Sequence, residues 1–168
     1  MAKNLSGQSF GFFLIDKPKG AVSFDVVRTL RKILQMKRIG YAGTLNPLAD
    51  GLMLVAVGEA TKIINSLEQM DKVYDVQIFM GATSATYDAE GPIVAYDKAR
   101  EPSLAEIEKL LKTEFYGEKM QIPPSYSAVK IGGKRAYDLV RRGQEVKIAA
   151  KKVIFYDIKI ISYKYPLL

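Results

Sequence analysis

One stretch of this chain organises the rest: residues 38–51 read RIGYAGTLNPLADG. Three glycines and Pro47 lie between two apolar segments, so the stretch predicts a loop with a restricted backbone. The residue before a proline is confined to extended geometry, which constrains Asn46. Rigid loops present polar side chains to ligands more often than they bury them. We therefore expect a functional site at Asn46.

The composition describes a basic, globular chain. With 168 residues, of which 48% are hydrophobic, a single domain over residues 1–168 is expected. Lysine and arginine number 25 against 18 acidic residues, a net charge of +7, and the excess lies near residues 17–38 and 130–152. This pattern favours a polyanionic partner such as nucleic acid. A basic surface that serves solubility alone is the alternative.

Several classes of chemistry are excluded by composition. The chain has no cysteine and no histidine, so disulfides, thiolate metal sites, thiol nucleophiles and the usual neutral-pH base are absent. No metal site and no cofactor are expected. Residues 1–8 lack the apolar region of a secretory signal, and no apolar run approaches the ~18 residues of a membrane span. A cytoplasmic location is expected.

Strands and helices mix without a regular repeat, which predicts an α+β domain with a mixed, largely antiparallel sheet and flanking helices. Predicted strands cover residues 12–16, 52–57, 72–80, 128–131, 145–148 and 153–161. Predicted helices cover residues 60–67, 104–115 and 135–142, and a further helix is predicted to follow Ser23. The strand at 72–80 alternates and is expected to be half-buried. Residues 81–92 are expected to form a loop, residues 122–127 cannot be helical, and Gly132-Gly133 predicts a turn.

Two of the helices have clear local signals. Ser23 is expected to cap the first helix, whose predicted apolar face is Phe24, Val27, Leu30 and Leu34. Ser103 and Glu106 predict a capping box for the third helix. The expected buried stripe of that helix is Leu104, Ile107, Leu110 and Leu111.

Five collinear stretches resemble the motifs of the TruB family of tRNA pseudouridine synthases. In that family a Gly-Thr-Leu-Asp-Pro-Leu-Ala-x-Gly loop carries the catalytic aspartate, and Asn46 stands at its position here. The other matches are Leu14–Gly20 with Ser23, Lys72–Tyr74, Thr86–Gly91, and residues 121–130 with 133–137 and 141–143. The resemblance covers the whole chain and is closer to the bacterial tRNA enzymes than to the guide-RNA-dependent relatives.

The resemblance implies isomerisation of a T-loop uridine of tRNA to pseudouridine, without a cofactor. The base is flipped out, its glycosidic bond is broken, and the ring is rejoined through carbon. Tyr74 is implied as the stacking platform, an interaction that contributes ~1 to 3 kcal/mol per base. The family carboxylate acts as nucleophile or as base, and both remain open. Because a carboxamide does neither, Asn46 implies impaired catalysis, and Asp50 is not expected to replace it.

The resemblance also implies further site residues. Expected RNA contacts are Lys17, Lys19, Lys37, Arg38, Tyr41, Lys130, Lys134, Arg135 and Arg141. Tyr41 stands where the family usually has histidine. Expected framing residues are Asp16, Gly43, Thr44, Leu45, Pro47, Pro124 and Tyr126.

Each assignment has a plainer alternative. Asn46 suits a turn that bonds its own backbone, and the alternation around Tyr74 suits a core residue. Residues 16–19 suit a charged turn after a strand, and residues 123–130 suit a rigid connection.

The end of the chain is a further departure from the family pattern. There the fold continues with a strand and a Ser-Lys-Gly-Thr-Tyr-Ile-Arg motif, usually followed by an RNA-binding domain, whereas this chain ends at Leu168. We expect an incomplete catalytic domain without that second domain, and an open sheet edge that favours self-association or a complementing chain. Three hypotheses follow: an enzyme requiring aspartate at position 46, a non-catalytic tRNA-binding or RNA-folding protein, and a fragment completed by another chain.

Overall fold

The structure is a computed structural model that describes residues 10–97, 99–125, 127 and 129–168, with backbone only at 130, 135, 137, 138 and 141. The chain divides into two compact units, the first ending at Tyr74 and the second running Asp75–Leu168. Helices and antiparallel strands occur in both units, which confirms the predicted α+β class. The expectation of a single domain stays a prediction.

The first unit is built on a three-stranded antiparallel sheet in the order β1-β3-β2. Its strands are β1 (Gly11–Lys17), β2 (Ile39–Ala42) and β3 (Gly51–Val57). The central strand β3 pairs with β1 over its whole length, from Gly11 opposite Val57 to Lys17 opposite Gly51. The predicted strands at 12–16 and 52–57 are therefore confirmed. Strand β2 was not predicted, because its short sequence is continuous with the glycine-rich loop.

Helix α1 (Ser23–Leu34) supplies the other side of a hydrophobic core. Side chains alternate along a strand, so every second residue of β3 faces the same way. The buried core residues are Val27, Ile39, Met53, Val55 and Val57. Leu30 and Leu34 pack against them as predicted, but the prediction for Phe24 is wrong. Its ring is 46% exposed and lies beside two arginines of the same helix.

The segment after β3 contains a 3₁₀ turn (Gly58–Ile63) followed by the short helix α2 (Ile64–Leu67). Together they replace the single helix predicted over residues 60–67. A Cβ atom at Gly40 would lie 2.6 Å from Ile64 Cδ1, so the Ile64 side chain of α2 packs closely on β2 and would have to shift to admit a side chain at position 40.

The strand predicted at 72–80 is wrong. Residues 71–78, all within the described part of the chain, lie outside any strand, and Val73 is 96% exposed. Only Ile78 to Met80 find backbone partners, where Ile78 exchanges hydrogen bonds with Leu168 at 2.9 and 3.0 Å. Alternation predicts which way residues would face, but a strand forms only where a neighbouring backbone is available to pair.

In the second unit the described strands form two-stranded antiparallel pairs. These are β4 (Ala82–Ser84) with β5 (Ile93–Ala95), β6 (Gly117–Gln121) with β9 (Lys151–Phe155), and β7 (Lys130–Ile131) with β8 (Lys134–Arg135). The predicted turn at Gly132-Gly133 is confirmed, whereas β4 and β5 border a loop that is shorter than predicted.

Two predictions near the C-terminus are wrong. Residues 145–148 lie outside any strand within the described residues, and β9 ends at Phe155, well short of residue 161. Both segments were predicted from β-branched composition, which measures how well side chains fit a sheet rather than whether a partner exists. Strand β9 is as long as its partner β6, residue for residue.

The helices of the second unit follow their local signals. Helix α3 (Leu104–Leu110) continues as a π-helical turn (Leu111–Phe115), and its capping box is confirmed. Ser103 Oγ accepts from the Glu106 amide at 3.3 Å, and the Ser103 amide donates to Glu106 Oε2 at 2.8 Å. Its predicted stripe is largely wrong, because only Ile107 is buried. Helix α4 (Ala136–Arg141) confirms the last helix.

Candidate functional site

The loop between β2 and β3 carries Asn46 at an exposed turn. The Ala49 amide donates to the Asn46 carbonyl at 3.1 Å, which closes a turn with Pro47 in its second position. The turn uses the main-chain carbonyl of Asn46 and leaves the side chain exposed. The structure thus places the carboxamide where a ligand can reach it.

Residues on both sides of Asn46 are fixed to the segment that joins β1 and α1. Ser23 Oγ donates to the Leu45 carbonyl at 2.9 Å and accepts from the Leu45 amide at 3.1 Å. The Gly20 amide donates to the Pro47 carbonyl at 2.7 Å. Ser23 is 1% exposed, and its buried hydroxyl pairs with both backbone groups of Leu45, 22 residues away. Asn46 is therefore held between two anchored neighbours, a preorganised arrangement.

Ser23 does not cap α1 as predicted. The N-cap position is Val22, without a side-chain cap, and Ser23 itself is the first helical residue. The prediction fails because the Ser23 hydroxyl is taken up by the backbone of Leu45, 22 residues along the chain. Sequence reasoning noted Ser23 but missed this role, which no local pattern signals.

Lys17 has a structural role in place of the predicted phosphate contact. Its side chain is fully buried, and Nζ donates to the carbonyls of Pro18 at 3.1 Å and Ala21 at 2.8 Å. It lies opposite Gly51 in the sheet, on the core face. Lys17 therefore shapes the turn that carries Gly20, and its ammonium does not reach the surface. Asp16 and Lys19 on either side are exposed.

The other end of the loop contacts the segment after α2. The Gly43 amide donates to Glu68 Oε1 at 3.3 Å, and a Cβ atom at Gly43 would lie 3.9 Å from Lys72 Cε. Lys72 Nζ in turn donates to the carbonyls of Glu68 and Met70, each at 2.7 Å. Gly43 has a φ of +77°, which favours glycine. Glu68 and Lys72 were not predicted as site residues, although Lys72 belongs to a quoted motif.

Arg38 is engaged within the first unit. Its Nε donates to Thr61 Oγ1 at 2.9 Å, and its Nη1 pairs with the Glu59 carboxylate. Lys62 Nζ lies 2.5 Å from the same carboxylate. The hydrogen bond from Lys62, assisted by the charges of Arg38 and Lys62, lowers the pKa of Glu59. A phosphate would compete with Glu59 for Arg38.

The remaining predicted residues of the first unit divide by exposure. Thr44 and Lys37 are exposed, whereas Leu45 and Pro47 are partly buried. Tyr41 is partly buried and packs against the core, which gives its ring a packing role. Tyr74 is 65% exposed, so the alternative that makes it a core residue is wrong.

The predicted residues of the second unit lie mainly on one short segment. Lys134 is exposed on β8, and the backbones of Lys130, Arg135 and Arg141 belong to the same hairpin and to α4. Pro124 is partly buried, and Tyr126 lies outside the described residues. The hairpin and α4 thus bring basic residues together locally.

Two further observations concern ligands and membranes. In the part of the chain that the structure describes, no group of three or more acidic, histidine or cysteine side chains could hold a metal ion. No helix there is long and apolar enough to cross a membrane.

Fold and loop together define the class: an α+β protein that presents Asn46 at an exposed turn of a Gly-Thr-Leu-Asn-Pro-Leu-Ala loop. The family model described as TruB family pseudouridylate synthase (N terminal domain) matches residues 31–168. The chain therefore belongs to the TruB family.

Relatives and solved structures agree with this assignment. The chain is 41% identical over 156 residues to tRNA pseudouridine synthase B of Clostridium acetobutylicum, covering 93% of this chain and 53% of that protein. It is 45% identical over 154 residues to the protein of that name from Fusobacterium nucleatum, covering 92% and 53%. The chain spans about half the length of these curated relatives.

A solved structure described as a Cbf5-Nop10-Gar1 complex is similar in fold. Its TM-score is 0.58 at 22% identity, covering 94% of this chain and 37% of that one. At that identity the likeness supports the fold alone.

Proposed function

We propose that this chain acts in the isomerisation of a T-loop uridine of tRNA to pseudouridine, with position 46 at the reacting nucleotide. Membership of the family and the names of the relatives support the reaction. The observation that carries the site is the geometry around Asn46, whose side chain is exposed while both neighbours are hydrogen-bonded to the β1–α1 segment.

The reaction requires the base to leave its stack. We propose that Tyr74 supports the flipped base, a role consistent with its 65% exposure. Base stacking on an aromatic ring contributes ~1 to 3 kcal/mol, which offsets part of the unstacking cost. Position 46 then faces the nucleotide. A cytoplasmic location, where tRNA is available, is part of the same proposal.

Asn46 limits the chemistry of the chain as written. A carboxamide has no anionic oxygen, so it acts poorly as a nucleophile or as a base. Spontaneous deamidation is slow here, because the succinimide route needs the backbone N–H of the next residue and Pro47 has none. We propose that the chain binds the uridine and isomerises it weakly or not at all, and that Asn46→Asp restores the missing group.

The proposed RNA contacts are cations outside the loop. Lys19 and Lys37 are exposed in the first unit, and Lys134 is exposed in the second. Lys130, Arg135 and Arg141 share the hairpin and helix around Lys134. Such residues neutralise phosphates and make binding salt-dependent. Lys17 is left out of this set because it is buried.

A second candidate is a non-catalytic tRNA-binding or RNA-folding protein. The specific observation that favours it is the exposed carboxamide of Asn46, which can donate and accept hydrogen bonds without chemistry. The names of the relatives favour the synthase.

Association with another chain is also proposed. Leu14 and Leu52 are 70% and 69% exposed on the side of the sheet away from the core, and β1 is an edge strand. Exposed apolar faces and open edges favour pairing with a second copy or a complementing chain. Light scattering at micromolar concentration tests this, and a monomer at all concentrations would contradict self-association.

The test of the proposed reaction is a single-turnover assay on tRNA carrying tritium at carbon 5 of uridine. Tritium leaves when that carbon bonds to the ribose. We expect release from Asn46→Asp and little from the chain as written, with Asn65→Asp, an exposed asparagine of α2, as the matched control. Release equal in all three proteins would contradict the role of position 46. Release from none would contradict isomerisation by this chain.

A further inference from the structure

The exposed side of α1 carries an aromatic ring with two guanidinium groups near it. Arg28 Cζ and Arg31 Cζ lie 5.9 and 5.5 Å from the centre of the Phe24 ring, which is 46% exposed. Residues four and seven positions after Phe24 share its helix face. We call Phe24, Arg28, Arg31 and Lys32, all exposed, the α1 strip.

The strip retains a positive charge after its own contacts are counted. Arg28 Nη2 pairs with Asp25 Oδ1 at 2.6 Å, and Arg31 Nη2 donates to the carbonyl of Ile39 at 3.3 Å. The strip therefore carries three positive charges, of which one is paired with the carboxylate of Asp25. These contacts and the ring beneath orient the two guanidinium groups, so little side-chain freedom remains to be lost on binding.

The strip begins beside the candidate site. Phe24 follows Ser23, whose hydroxyl bonds the residue before Asn46. From Phe24 the strip runs eight residues along the helix to Lys32, about 12 Å at the rise of an α-helix. The strip and the Asn46 loop are thus linked by the hydrogen-bonded pair of Ser23 and Leu45.

We propose that the α1 strip binds the sugar-phosphate backbone of the RNA beside the uridine placed at Asn46. This inference rests on the proposed function and adds a surface outside the predicted RNA-binding residues. The planar guanidinium forks of Arg28 and Arg31 match phosphate oxygens in a bidentate way. The Phe24 ring presents an apolar face for a ribose or a base.

The experiment is fluorescence anisotropy of a labelled T-arm RNA hairpin against the full chain over a salt series. We expect Arg28→Gln and Arg31→Gln each to weaken binding about ten-fold and to reduce the slope of log Kd against log salt by about one. Asp25→Asn removes the competing carboxylate and is expected to tighten binding. Arg100→Gln is the matched control, because Arg100 is an exposed arginine paired with Glu106 in the second unit.

The outcomes separate this inference from the proposed function. Unchanged affinity and slope in both strip variants, with the parent chain binding, overturn the strip and leave the function standing. Loss of binding by Arg100→Gln as large as by Arg31→Gln also overturns the strip, since the effect would then be general charge. Failure of the parent chain to bind the hairpin overturns both. Circular dichroism melting checks that the variants fold.

Discussion

The two units of the chain differ in how their strands bury side chains. In the first, β3 is paired on both sides and α1 covers one face, so alternate residues of β3 are removed from water. In the second, the described strands form isolated pairs, and the described buried residues are Ser84, Ile107 and Ala136. A strand with neighbours on both sides creates a core, whereas a two-stranded pair leaves most side chains exposed. The candidate loop belongs to the unit that has such a strand.

The contrast also explains why the Asn46 loop is rigid. Its two ends are β2 and β3, and its middle is bonded to the segment that enters α1. A loop between well-packed elements has fixed anchors, which a functional side chain requires. The basic hairpin of the second unit is a pair of two-residue strands, Lys130–Ile131 with Lys134–Arg135.

The largest expected effect tests the core of the first unit. Met53 is 1% exposed on β3 and Met120 is 66% exposed on β6. Met53→Ala should lower the free energy of unfolding by about 2 to 5 kcal/mol, because it leaves a cavity. Met120→Ala should change it by less than about 0.5 kcal/mol. Urea unfolding measures the free energy of unfolding of both variants. Equal losses would contradict the difference in burial between the two units.

A smaller effect is expected at the bond between α1 and the loop. Ser23→Ala leaves the Leu45 amide and carbonyl without a buried partner, a cost of about 1 to 3 kcal/mol. Hydrogen exchange at the Leu45 amide should become faster. Ser66→Ala, at an exposed position of α2, is the matched control and should leave that amide unchanged. Slow exchange in Ser23→Ala would mean that the loop is held by other contacts.

In the second unit, local capping is expected to matter because Ile107 is the only buried residue of α3. Ser103→Ala removes the side-chain half of the capping box, which typically costs about 1 kcal/mol. Ser162→Ala, at another exposed serine, is the control. Urea unfolding followed by helical circular dichroism measures the difference. No difference between the two variants would show that α3 does not depend on its cap.

The smallest effect is a pH dependence at the same cap. The hydrogen bond from Arg100, followed by those from Ser103, lowers the pKa of Glu106 from 4.5 to about 2. Since the folded pKa is depressed, its stabilisation is full above pH 4.5 and is lost as the pH falls to about 2. Glu106→Gln should remove the dependence of the melting temperature on pH over this window. Glu108→Gln, at an exposed glutamate two residues further along α3, should leave that dependence unchanged. An unchanged profile in Glu106→Gln would contradict the capping role.

Local signals were the reliable part of the sequence prediction. The capping box at Ser103 and Glu106 and the turn at Gly132-Gly133 were predicted and confirmed. These features depend on residues within a few positions of one another. The strands at 72–80 and 145–148 failed because a strand needs a partner that its own residues do not specify.

The candidate site shows the same division. The Gly-Thr-Leu-Asn-Pro loop was found from its residues, and its exposure of Asn46 agrees with the structure. The buried position of Lys17 and the packing of Tyr41 were not predicted, because both depend on the side of the sheet that faces α1. Ser23 was predicted to cap the start of its own helix, but its hydroxyl bonds Leu45, which is distant in sequence.

The residues by themselves determined the family, the loop with an amide at its centre, the basic character, and local features such as the capping box at Ser103 and the turn at Gly132-Gly133. Tertiary structure alone decided which strand is central, which lysine is buried, and which hydroxyl holds the loop at Leu45. The reason is physical: propensities and turns are local interactions, whereas burial and pairing depend on which distant backbone or side chain completes a surface.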